Sequence, residues 1–183
     1  MLKTLRQRFR DARTVSRLCN GAEKHANAGG QRQPGAEHFV LAALELEDGT
    51  ARQTFTSLGI DSEAFAAAIE SQYRAALATV GVADSGEAGL PEAHPTAPPR
   101  GPYLAQASAQ RLMSVLTGEI MKEAQQGDSS FPLLSAHVLL AASSAKHGVC
   151  VRAFEALDLD REQVGRAAQA ALRQQAEAER STA

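Results

Sequence analysis

Residues 35–65, GAEHFVLAALELEDGTARQTFTSLGIDSEAF, return 99 residues later as LSAHVLLAASSAKHGVCVRAFEALDLDREQV, with no gap. His38 falls on His137, Leu41-Ala42-Ala43 on Leu140-Ala141-Ala142, and Gly49 on Gly148. Phe55 falls on Phe154, Leu58 on Leu157, Asp61 on Asp160 and Glu63 on Glu162. A duplication constrains the fold strongly, because each copy must form the same supersecondary unit and the two must share a buried core.

Each copy reads as four helices, so the expected fold is all-α with about eight helices. In the first copy, Leu18, Ala22 and Ala26 continue an apolar stripe over residues 3–28, and Gly29-Gly30 ends it. A second helix is expected over 36–47 and a short third over 50–58, with Asp48-Gly49 as the turn between them. Gly59 stops the third, and Asp61 or Ser62 caps a fourth carrying Phe65, Ala68 and Ile69. The second copy repeats the plan. Its first helix spans 105–126 with Met113, Leu116, Ile120 and Ala124 inward, and Gly127-Asp128 breaks it. Ser135 is the expected N-cap of the next helix. Asp160 and Gln163 have the spacing of a capping box.

Domain boundaries follow. Residues 1–77 form the first repeat and 105–176 the second, with a frayed tail at 177–183. Between them lies 78–104, which holds five of the seven prolines. That composition suits a linker, with a short ordered patch expected near Tyr103-Leu104.

The 183-residue chain can bury a real core, built from aliphatic side chains, since aromatics make up 4% and Trp is missing. A net charge of −2 supplies no global field toward nucleic acid or a membrane. No apolar run reaches the roughly 18–20 residues a membrane span needs. Cys19 and Cys150 form no disulfide framework, which suits a reducing, cytoplasmic setting. The opening MLKTLRQRFRDARTVSRL is locally different. It carries Lys3, Arg6, Arg8, Arg10, Arg13 and Arg17 against Asp11 alone. Its apolar residues Leu2, Leu5, Phe9, Ala12, Val15 and Leu18 recur at helical spacing. Two readings stay open for it: a first helix with a solvated basic face, or a helix that docks on an anionic partner, nucleic acid or lipid.

Gly35-Ala36-Glu37-His38, Gly49, and Leu58-Gly59-Ile60-Asp61 form a pattern repeated around His137, Gly148 and Leu157-Asp158-Leu159-Asp160. It resembles the amino-terminal domain of the Clp unfoldases (ClpA, ClpB, ClpC) over about residues 8–175. The resemblance implies a pseudo-twofold duplication of a four-helix repeat that receives substrates and adaptors. In that family the domain is mounted on ATPase modules. This sequence contains no Gly-x-x-x-x-Gly-Lys-Ser/Thr phosphate loop, so it looks like a free-standing, non-catalytic copy. The implied partners are Clp unfoldase or protease components and adaptor or substrate peptides, with no cofactor. In the ClpC branch the Glu of the Glu-His pair takes part in binding phosphorylated arginine. That position is Glu37 here and Ala136 in the second copy. An assisting Thr of the first helix falls on Ala12, and the Thr that usually precedes the Glu falls on Ala36. The resemblance therefore implies at most half a phosphoarginine site, and a helix cap lost at Ala36.

The remaining candidates read as architecture. Glu37 occupies a helix first turn, where the macrodipole favours a carboxylate. His38 and His137 hold equivalent places, as expected of imidazoles that bond a backbone group across the repeat core rather than a metal. His25 and His94 have no partners at ligand spacing. Cys150 stands three residues after His147 but overlays Ala51, and Cys19 lies beside the apolar stripe. Both read as small buried hydrophobes rather than nucleophiles, and no hydrolase elbow or zinc motif occurs.

Overall fold

The computed structural model describes residues 2–79, 104–120 and 132–181, with side chains described from Phe9 onward and not at residues 119 and 120. It is all-helical, with eight α-helices among the described residues. These are α1 (Leu2–Ala28), α2 (Ala36–Glu45), α3 (Thr50–Ser57), α4 (Ser62–Thr79), α5 (Ala107–Val115), α6 (Ser135–Ser143), α7 (Val149–Glu155) and α8 (Arg161–Ser181). A single π-helical stretch, Leu116–Ile120, continues α5. The expected breaker Gly127-Asp128, Ala124, Tyr103 and residues 80–103 of the linker lie outside the described residues. α8 runs to Ser181, with its last residues exposed.

Three helices of each half start 99 residues apart: Ala36 and Ser135, Thr50 and Val149, Ser62 and Arg161. The local signals explain the match. Gly49 and Gly148 precede α3 and α7 with φ of 69° and 127°, backbone that L side chains rarely adopt. Asp61 Oδ1 accepts the Ala64 N–H at 2.7 Å. The capping box at α8 is complete. Gln163 N–H donates to Asp160 Oδ1 at 2.7 Å, and Asp160 N–H donates to Gln163 Oε1 at 2.8 Å. The left-handed residue that ends α3 is Gly59, φ 72°, and its counterpart after α7 is Asp158, φ 57°.

Packing exchanges the halves. α3 lies on α8 and α4 on α7, while α2 and α6 meet at the centre. Gln53 of α3 reaches Gln174 of α8 at 2.6 Å, and Arg152 of α7, 99 residues on, reaches Gln72 of α4 at 3.2 Å. Phe55, Phe65 and Phe154 form one aromatic nest. Phe65 and Phe154 stack at 4.9 Å between centroids, and Phe55 meets Phe65 edge-on at 5.4 Å. Leu18, Ala22, Leu139, Val164 and Ala168 close the core around them, and Leu58 and Leu157 pack at its margin. Small residues let helices approach closely. A Cβ on Gly21 would stand 2.8 Å from Ala42 Cβ, so α1 and α2 need glycine there.

Candidate functional site

The two junctions between halves are built from helix N-termini, whose first N–H groups lack intrahelical acceptors. At the first junction, Gly35 is the N-cap of α2, with Glu37 and His38 in the first turn. The carboxylate of Glu37 folds back over Gly35, filling the space a Cβ would occupy. Its side chain is 1% exposed. Tyr73 of α4 donates its hydroxyl to Glu37 Oε1 at 2.5 Å. Burial, then the hydrogen bond to Glu37 and its charge, hold the Tyr73 phenol well above its ordinary range, so it stays a donor.

His38 stacks near Tyr73, with ring centroids 6.3 Å apart. Its Nδ1 accepts the Gly35 N–H at 2.9 Å and its Nε2 lies 3.1 Å from Gln31 Oε1. Those partners call for a neutral ring protonated at Nε2, which donates to Gln31. His137 does the same at α6, where Nδ1 accepts the Leu134 N–H at 3.0 Å. The repeated histidine bonds a backbone group, as the sequence suggested. The bond is local, however, to the N-cap three residues back, and not across the core. It performs the backward half of a capping box, a task Glu or Gln more often fills. Burial lowers both imidazole pKa values. Glu37 opposes the shift at His38 while His25 adds to it, and Leu134, Asp48 and Asp11 oppose it at His137.

The sequence missed two devices. Ala36 carries no capping hydroxyl, yet its N–H donates to Ser108 Oγ of α5 at 3.2 Å, so the other half supplies the acceptor. Ser135 is not the N-cap of α6; Leu134 is. The Ser135 hydroxyl instead donates to Asp48 Oδ1 at 2.6 Å and accepts the Ala51 N–H at 2.9 Å. Thr50 Oγ1 donates to the same Asp48 oxygen at 2.6 Å and accepts the Ala136 N–H at 3.0 Å. At this second junction the carboxylate of Asp48 lies between the N-termini of α3 and α6. Pairing of residues more than eighty positions apart has no local signature.

Cys150 is buried, and burial followed by the charge of Glu37 raises its thiol pKa well above the ordinary range, so it holds its proton at neutral pH. Cys19 packs against the core, partly buried. Ala12 is exposed on α1 and Ala136 is buried at the start of α6. Among the described residues no cluster of three His, Cys, Asp or Glu side chains could hold a metal, and no helix is long and apolar enough to cross a membrane. Compared with family models and with curated proteins, the chain matches none.

Proposed function

We propose that this protein is a non-catalytic binding module of the Clp amino-terminal kind, which receives an adaptor, a degron or a substrate peptide at the junctions between its halves. It acts as an adaptor, regulator or decoy in Clp-dependent proteolysis. The supporting observation is the exchanged packing of helices that begin 99 residues apart, with helix N-termini meeting at each junction. Glu37 is the side chain of the first junction best suited to meet a cationic group. It does so only by leaving Tyr73, which makes opening of α4 part of recognition.

The test is a titration of purified protein into the Clp unfoldase–protease of the same cell, following loss of a reporter substrate. A saturable change in rate, reduced by Glu37→Ala, supports the reading. A flat rate at concentrations well above that of the unfoldase refutes it.

A further inference from the structure

We propose that the stretch of α1 around Phe9, Arg10 and Arg13 forms a docking surface for an anionic lipid bilayer. This inference is independent of the Clp reading. The apolar residues of α1 do not serve one face. Leu18, Ala22 and Ala26 are buried in the core, whereas Phe9 is 65% exposed. Helix geometry gives the reason: Phe9 and Leu18 are about two and a half turns apart, which puts them on opposite sides. Ala12, also exposed, belongs with Phe9. Leu2 and Leu5 precede them in the sequence at the same three-and-four spacing.

Charge names the occupant. The one acid in residues 1–18, Asp11, is turned toward the core, where its Oδ1 accepts the Leu133 N–H at 2.9 Å. Arg17 pairs with Glu47 at 3.2 Å. Arg10 and Arg13 are exposed, and among the described residues no carboxylate lies within ion-pair distance of either. Arg10, Arg13 and Arg17 follow the three-and-four spacing of one band, and at about 100° per residue that band borders the Phe9 side. An apolar stripe edged by cations is the pattern of a helix lying in a lipid interface, with the ring inserted and the guanidinium groups among anionic headgroups. Nucleic acid would use the cations and leave the stripe without a purpose.

The test is sedimentation of the full chain with phosphatidylcholine vesicles carrying about a quarter phosphatidylglycerol. Binding is expected there and not on pure phosphatidylcholine, and it falls as salt rises. The double variant R10E/R13E lowers partitioning at least about tenfold, and F9S lowers it about tenfold. Both keep the wild-type melting curve, because neither touches the core. No binding at low salt, or equal binding by the variants, overturns the proposal. So does a DNA duplex that competes the protein off the vesicles while F9S binds it undiminished, which would assign the cations to nucleic acid.

Discussion

Tyr73 and Glu37 are joined by a 2.5 Å hydrogen bond that ties α4 to the first turn of α2. The carboxylate it holds is among the largest fully buried side chains of the molecule. Tyr73→Phe removes the hydroxyl donor and is expected to cost about 1–3 kcal/mol in urea unfolding. In a Glu37→Gln background the cost shrinks, because a neutral amide is less expensive to leave without that donor. A double-mutant cycle with no coupling would show that the bond contributes nothing.

Gly35→Ala tests the same pair from the other side. The added methyl would meet the Glu37 carboxylate, and backbone φ of −96° tolerates alanine. The side chain must leave its buried position. The expected result is lower stability by about 1–3 kcal/mol, read by urea unfolding.

Acid should weaken the fold through its two histidine caps. Both folded-state pKa values lie below the ordinary 6.5, so protonation favours the unfolded chain. The stability tied to the neutral rings is complete above about pH 6.5 and is lost as pH falls through the lower folded values. His38→Gln keeps an acceptor for the Gly35 N–H without titrating. Urea midpoints measured at about pH 7.5 and 5 should converge in that variant relative to wild type. An unchanged pH dependence in both His38→Gln and His137→Gln would assign acid lability elsewhere.

Asp48→Ala should loosen the second junction. It strips the acceptor shared by the Thr50 and Ser135 hydroxyls, both buried. A loss of about 1–3 kcal/mol is expected, with faster amide exchange at Ala51 and Ala136. Asp48→Asn keeps one carbonyl oxygen and should recover part of it.

Asp158→Gly should stabilise the protein by up to about 1 kcal/mol, since a left-handed residue suits glycine and the first copy has Gly59 there. A thermal melt decides the sign. A loss would mean that the Asp158 side chain contributes more than its backbone strain costs.

How much was legible differs by element. The starts of α2, α3, α4, α7 and α8 were readable because glycines, caps and apolar spacing act within a few residues of one another, whereas Ser135, expected as a cap, is the first residue of α6. Asp160 and Gln163 formed the bonds their spacing promised. The first helix of the second copy was harder to read. Its periodicity pointed to 105–126, whereas α5 begins at Ala107 and passes at Leu116 into a π-helical stretch, and residues 121–126 lie outside the described ones. Phe9 misled in the same way, since its spacing from Val15 and Leu18 looked like one stripe until packing separated them.

From the sequence by itself came the 99-residue recurrence, the helical class and the capping pair of Asp160 and Gln163, because helix and cap signals rest on contacts between near neighbours in the chain. Only the tertiary structure decided that Glu37 is buried under Tyr73, that Ser108 caps α2, and that Ser135 serves Asp48 rather than its own helix. Each of those bonds joins residues 36 to 87 positions apart. Their partners are chosen by how whole helices dock, a preference no short window of residues encodes.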